Sequence, residues 1–491
     1  MPDAGSELPV LLFLAPFLGG LLCAAVGWAW RPLAPAIAVV AMSATAVLSV
    51  WANIAVYRAG ELRAALGGWA PHRGIELVVD PLSAFVAAVI GVVGLAVVVG
   101  SVSPVRSELR RRGAYYYSLA LLLIGGLVGM TVTHDLFNLF VHLEVASLSA
   151  YALTAAGGRG ASRAALRYLL VGSMGASLYL LSVGFLYAAT GMLNMSEVAA
   201  ALPEANPRLV LIAAVLAVVG LAIKMGLFPL HAWMPGAYSR APLGGAALMA
   251  PLVTKVSAYA MVRLLFDVYQ VHRLDGPAFL LELLCWAGAA AVIAGAVLAL
   301  FQNDLLRLLA YSSISQMGIV ALGIGLANAS SLTGGVLHIA NDALMKGALF
   351  IVAAGLVMKH GIREVGDLPR LKGRAPWTSG AVLVTGLSLV GLPPMCGFFG
   401  KWYVLKGAVE DERWVLAGAV IVGSLATVAY VARLVDRMFF ARDHVEPAEV
   451  RAPARSTLLV GALMAGGVIV FGLFAERVVT LIVTPALPPG L

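Results

Sequence analysis

The chain has 491 residues, of which 61% are hydrophobic and only 12% charged. So few charges cannot cover the surface of a water-soluble protein of this length, so the composition specifies an all-α polytopic membrane protein. The net charge of +8 comes from basic residues in short loops between apolar runs, which argues against a nucleic-acid-binding surface.

Three cysteines, Cys23, Cys285 and Cys396, lie scattered in apolar segments and suggest neither a disulfide framework nor a zinc or iron–sulfur centre. No Gly-rich phosphate loop or dinucleotide fingerprint follows a strand pattern, and the 53 glycines read as helix-packing residues. No cofactor and no metal are expected.

Apolar runs able to cross a hydrocarbon core of about 30 Å begin at residues 8–29. This run follows acidic Asp3 and Glu7 without a basic n-region or cleavage site, so it reads as a first span and not as a signal peptide. Further spans are predicted at 33–56, 79–101, 114–132, 134–155, 164–190 and 208–229. Seven more follow at 242–263, 277–301, 308–327, 330–358, 378–405, 414–432 and 456–480, making fourteen.

The Lys and Arg residues test this count. Twenty fall in loops after odd-numbered spans and nine after even-numbered spans, which predicts both termini on the non-cytoplasmic side. The remaining four of the 33 basic residues, Lys224, Lys255, Lys346 and Lys401, lie inside spans. A lysine at the centre of a span costs about 2.5–3.5 kcal/mol on insertion scales, so four of them require a function or partners. Snorkelling suits only a lysine near a span end, such as Lys401. A static ion pair explains one lysine but not the excess over membrane acids. What remains is a chain of titratable groups in a hydrated interior.

The acid partners follow in chain order. The fifth span, HDLFNLFVHLEVASLSAYALTA, holds Glu144 about midway, with Asn138 on one side and Ser147 and Ser149 on the other. His142, two residues away, points to another face, and His134 and Asp135 open the segment at the interface. In the eleventh span, HIANDALMKGALF places His338, Asp342 and Lys346 four residues apart, on one helical face. Asp342 is expected to hold both its neighbours as cations.

Helix breakers interrupt two spans: Lys224 precedes Pro229 in LAIKMGLFPLHAWMP, and Gly391, Pro393 and Pro394 precede Lys401 in GLSLVGLPPMCGFFGKW. In lipid such breaks survive only inside protein or beside a water-filled cavity. Two of them five spans apart predict two inverted five-helix repeats at 111–270 and 271–440. Residues 1–110 then supply helices one to three, and 441–491 a closing helix.

With these residues in view, the chain resembles the antiporter-like subunits of respiratory complex I, membrane-bound hydrogenases and multisubunit Mrp cation/proton antiporters. The likeness runs from about residue 78 to 440. It is carried by DLFNLFVHLEV, ATGMLNMSEV, IKMGLFPLHAWMPGAY, LVTKVSAYAMVRL, LAYSSISQMGIV, HIANDALMKGALF and GLPPMCGFFGKWYV. Within the family, GMLNM, TKVSAYA and FFGKW look most like the D-type chain of Mrp complexes.

The resemblance implies a hydrophilic axis at the membrane midplane. It implies proton-coupled exchange of Na⁺ or K⁺, partner subunits in a large complex, and a place in the cell's plasma membrane. It matches Glu144 and Lys224 to the family's glutamate–lysine pair, Lys255 to the connecting lysine, His338 and Lys346 to the central pair, and Lys401 to the terminal lysine. Two positions depart from the pattern. Asp342 stands where a second histidine is common, and Gly236 stands where an acid is usual. The competing function is a proton-pumping subunit of a redox-driven complex.

Overall fold

The computed structural model describes residues 7–71, 73–271, 278–373, 375–441 and 455–488. The expected basic residues Arg273, Arg374, Arg442 and Arg451, and Asp3, lie outside these residues.

Helices α1 (Leu8–Ala29) and α2 (Ala34–Ala59) are followed by a short antiparallel hairpin, β1 (Leu62–Ala65) and β2 (Glu76–Val79), with Leu62 opposite Val79. Next come α3 (Pro81–Leu109), α4 (Gly113–Val132), α5 (Leu136–Ala155) and α6 (Ala161–Thr190). A short α7 (Met195–Ala201) precedes α8 (Pro207–Met225), α9 (Met234–Arg240) and α10 (Leu243–Val262). The second half contains α11 (Ala278–Leu300), α12 (Leu305–Leu326), α13 (Ala329–His360), α14 (Pro376–Val390) and α15 (Cys396–Glu410). It ends with α16 (Trp414–Val435), α17 (Arg455–Leu473) and α18 (Ala475–Val478).

Among the described residues, 13 helices are long and apolar enough to cross a membrane. The twelfth expected span, at 378–405, is the pair α14 and α15. Each has 15 residues and so a length of about 22 Å, too short to cross alone. The hairpin and α7 were not anticipated. Four-residue strands and a seven-residue helix carry too little periodicity to stand out between long apolar runs.

Asx caps start many of the helices, supplying acceptors for N–H groups that have no partner within the helix. Asp80 accepts from Ser83 N at 2.9 Å, Asp135 from Asn138 N at 2.6 Å, Asp304 from Arg307 N at 3.0 Å and Asn328 from Ser331 N at 2.8 Å.

The helices sort into a centre and a rim. The most apolar stretch of Leu243–Val268 is wholly buried, and those of α12 and α13 are 94% buried, whereas that of α2 is 39% buried. α10, α12 and α13 pack directly on one another, and these innermost helices carry Lys255, His338, Asp342 and Lys346.

Both predicted breaks are present. α8 stops at Met225, where Gly226 turns the chain with φ of 66°, and α14 stops at Val390, where Gly391 does so with φ of 91°. The carbonyls released at each break are recaptured by side chains. Trp233 Nε1 donates to Ile223 O at 2.9 Å, and Lys401 Nζ donates to Leu389 O at 2.6 Å and Val390 O at 3.2 Å.

Candidate functional site

The first cluster is built on one face of α5. Glu144, Ser147 and Tyr151 recur at helical spacing and meet Lys224 in the last turn of α8 before the break. Lys224 Nζ stands 3.7 Å from Glu144 Oε1 and donates to Ser147 Oγ at 2.8 Å and Tyr151 OH at 3.2 Å. The Lys224 side chain is 6% exposed and that of Glu144 25%. The ammonium therefore has hydroxyl partners that can hold it without the carboxylate. Tyr151 packs edge-on against Tyr168, which stacks on Trp233 with ring centres 4.2 Å apart. Through the Trp233 indole this stack ties the cluster to the break in the chain.

His142 takes no part. Its ring packs against Phe13 and fills the space left by the missing side chain of Gly129. His134 and Asp135 lie at the head of α5, where His134 Nε2 is 2.8 Å from Ser196 Oγ and Asp135 caps the helix.

The second cluster occupies the centre. Lys255 Nζ on α10 lies 2.6 Å from Asp342 Oδ2 on α13, with side chains 1% and 0% exposed. Lys255 also donates to Ala250 O at 2.9 Å and Thr254 Oγ1 at 3.3 Å. Desolvating two charges so fully is tolerable only in close contact with added hydrogen bonds, and here the contact is close while the added hydrogen bonds are all on the lysine.

The sequence reading set Asp342 between His338 and Lys346 as their common counter-ion; its direct ion pair in the structure is with Lys255. The three side chains do share one broad face, but α13 is wedged between two neighbours and the groups divide between them. Asp342 turns to α10. Lys346 donates to Ser312 Oγ on α12, with Leu309 O at 3.5 Å. His338 Nε2 lies 3.0 Å from Gln316 Oε1 on the same helix.

Lys401 sits one turn into α15. It is 7% exposed, and its ammonium rests on the carbonyls that end α14, with Ser424 Oγ at 3.5 Å. Among the described residues, Lys346 and Lys401 have no carboxylate within 4.0 Å. Of the seven sequence-derived residues, Glu144 and Lys224 form one contact group, and Lys255 and Asp342 another. His338 and Lys346 are joined to these through α12 and α13, and Lys401 lies on the adjoining α15.

Several participants were not singled out from sequence. Ser312 and Gln316 are a turn apart in YSSISQ on α12 and serve Lys346 and His338 respectively. Asn341 Nδ2 donates to Cys396 O at 2.9 Å, which fixes the start of α15 against α13. Tyr151 and Thr254 complete the set. The signal for Ser312 and Gln316 was available, as a polar run inside an apolar span. Four buried polar atoms here have no hydrogen-bond partner among the described residues: His338 Nδ1, Gln316 Nε2, Asn341 Oδ1 and Asp342 Oδ1. Buried polar groups are ordinarily satisfied, so their grouping around α13 marks a polar interior.

Residues 133–427 match the family described as NADH:quinone oxidoreductase/Mrp antiporter, TM. The chain is 39% identical to the N-type chain of an NADH-quinone oxidoreductase of Desulforudis audaxviator, over 98% of this chain and 99% of that one. It is 30% identical to the D-type chain of a Na⁺/H⁺ antiporter of Bacillus subtilis, over 86% of this chain and 85% of that one. Among solved structures, a chain of an archaeal membrane-bound sulfane sulfur reductase, described as a respiratory membrane complex, superposes with a TM-score of 0.91. It is 30% identical and the match covers 98% of this chain and 97% of that one.

Proposed function

The chain belongs to the NADH:quinone oxidoreductase/Mrp antiporter transmembrane family, and on that premise we propose that it conducts protons along its buried polar axis. The axis runs from Glu144 and Lys224 through Lys255, Asp342, His338 and Lys346 to Lys401. One observation carries this reading. Four lysines are buried in the membrane-spanning part of the chain, each held by polar groups, and unpartnered polar atoms accompany those on the central helices α12 and α13. Such atoms are the lining along which water and side chains pass protons.

In this mechanism Lys224 Nζ carries a proton while Glu144 is near. When the carboxylate swings away, the ammonium is left in a poorly screened site and releases the proton inward. Ser147 and Tyr151 hold the resulting amine in place. Lys255 and Asp342 connect the two halves, His338 passes the proton through its two ring nitrogens, and Lys346 and Lys401 deliver it. Each 1.4 kcal/mol of altered pairing changes proton affinity by about tenfold, so motion of one carboxylate suffices to switch a step.

We further propose an Mrp-type Na⁺(K⁺)/H⁺ antiporter subunit in the plasma membrane, with both termini non-cytoplasmic and partner subunits completing the complex. The GMLNM, TKVSAYA and FFGKW stretches support this assignment. The excess of basic residues on one side supports the orientation. The paired broken helices support two inverted five-helix repeats, 111–270 and 271–440, between helices one to three (1–110) and the closing segment (441–491). A redox-driven proton pump is the second reading, favoured by the 39% identical relative named as part of a quinone oxidoreductase.

The test is proton flux in proteoliposomes holding the assembled complex, driven by a Na⁺ gradient in one set and by electron donors in another. Na⁺-driven flux favours the antiporter, and donor-driven flux the redox pump. Lys224→Ala and Glu144→Ala should each lower the driven flux by about tenfold or more. Full flux in either variant overturns the proposed path.

A further inference from the structure

On the lipid-facing side of the second half, α14 and α17 lie against each other and enclose a shallow groove of about 550 Å³. Its walls are Gly380, Ala381 and Val384 on α14, and Ala462, Ala465 and Gly466 on α17. At one end it narrows into a pocket that shares Trp377, Ala381 and Ala462 and is closed by His360 and Thr378. His360 is 6% exposed and Thr378 5%. Both imidazole nitrogens of His360 and the hydroxyl of Thr378 lack a hydrogen-bond partner among the described residues.

We propose that this groove binds an anionic phospholipid. One acyl chain lies along α14 and α17, and a single phosphate or glycerol-ester oxygen enters the end pocket, of about 10 Å³, to accept hydrogen bonds from His360 and Thr378. Four observations support that occupant. The groove is apolar along its length and polar only at one end, the pattern of an amphiphile. The polar end lies at the terminus of α13, next in sequence to Lys359 and with Lys372 in the following loop, where an anionic headgroup is attracted. Trp377, 75% exposed beside it, is the kind of residue that sits at headgroup depth. Finally, the two wall helices touch, so a partner helix of about 10 Å diameter cannot enter between them, whereas a polymethylene chain can.

Leaving His360 and Thr378 unpaired costs about 1–3 kcal/mol per group, which a lipid oxygen removes. The small residues then have a purpose beyond helix packing. A Cβ added at Gly380 or Gly466 would meet no atom within 4 Å, so these two positions are open where a packed helix pair would be filled.

The test uses the full chain in its complex, purified in mild detergent and incubated with phosphatidylglycerol carrying a diazirine on one acyl chain. The matching phosphatidylcholine serves as the comparison. Phosphatidylglycerol should label the peptides spanning 376–384 and 462–469, more strongly than phosphatidylcholine does. Gly466→Leu and Gly380→Leu project into open space and replace glycine with a better helix former, so both should assemble normally and lower labelling by about tenfold. Thr378→Val preserves shape, removes a donor to oxygens that both lipids carry, and should weaken labelling by both while leaving the groove intact. Labelling unchanged by the leucine variants, equal labelling by both lipids, or cross-links to a neighbouring subunit's helix in place of these peptides would each overturn the site.

Discussion

The two carboxylate–lysine pairs on the axis are built differently. Glu144 and Lys224 stand 3.7 Å apart with the carboxylate one quarter exposed, while Asp342 and Lys255 touch at 2.6 Å with neither exposed. In the first pair the lysine keeps good hydrogen bonds to Ser147 and Tyr151 if the acid departs. In the second, Lys255 keeps Ala250 O and Thr254 Oγ1, but among the described residues Asp342 has no partner besides the lysine. Opening the outer pair leaves Lys224 on its two hydroxyls, whereas opening the inner pair leaves Asp342 a fully buried charge with no partner among the described residues. The outer pair can thus open at lower cost than the inner pair, as the proposed switching step requires.

Removing one partner from each pair tests that difference most severely. Lys255→Ala strands Asp342 as an uncompensated buried charge and should lower stability by about 3–5 kcal/mol. Glu144→Ala should cost about 1 kcal/mol or less, because its partner retains two hydroxyls and the acid is partly exposed. Thermal unfolding of the purified complex measures both. Equal losses would show that the two pairs are not distinct in kind. A Lys255→Met, Asp342→Leu double variant should recover most of the stability while remaining unable to conduct, since a buried pair can be replaced by apolar groups of similar volume.

The broken helices repeat the contrast at the next level of energy. Lys224 precedes its break and leaves the freed carbonyl of Ile223 to Trp233, whereas Lys401 follows its break and caps Leu389 and Val390 itself. Lys401→Met therefore removes both a charge and the cap on a half-helix. It should cost about 1.5–3 kcal/mol, the range for a hydrogen bond to a charged group. Lys224→Met should cost less, because the break it adjoins stays capped. If the two methionine variants unfold at the same temperature, Lys401 has no structural role beyond that of Lys224.

Much of this arrangement was legible in the sequence, for a reason specific to membranes. Lipid makes charge and helix breaks expensive, so Glu144, the four lysines and Gly391–Pro394 stood out against apolar runs. The same contrast gave the spans and both interruptions. Partner choice was not legible. A spacing of four places His338, Asp342 and Lys346 on one face, but the rotation of α13 against its neighbours decides that Asp342 meets α10 while the others meet α12. That rotation depends on close approaches with no periodic signature. At Gly400, an added Cβ would lie 2.6 Å from His338 Nδ1, so the glycine allows α15 to come up against α13. The hairpin was invisible because its four-residue strands carry no lipid constraint.

The finest distinction between the two breaks lies in Trp233. Its indole N–H reaches Ile223 O, one residue before Lys224, and its ring continues the stack through Tyr168 to Tyr151, which is itself a partner of Lys224. Trp233→Phe keeps an aromatic ring for the stack and removes only the donor. Ile223 O keeps its bond from Gly226 N at 3.0 Å, so the loss should cost about 1 kcal/mol or less, the usual net worth of one hydrogen bond. Because that carbonyl belongs to the turn that aims Lys224, the loss should also alter driven proton flux in the outer pair while leaving the stability contributed by Lys255 and Asp342 unchanged. A double-mutant cycle with Glu144→Ala measures this coupling. Additive effects on flux would mean that Trp233 merely closes the helix end, and a non-additive result would place it among the groups that position Lys224.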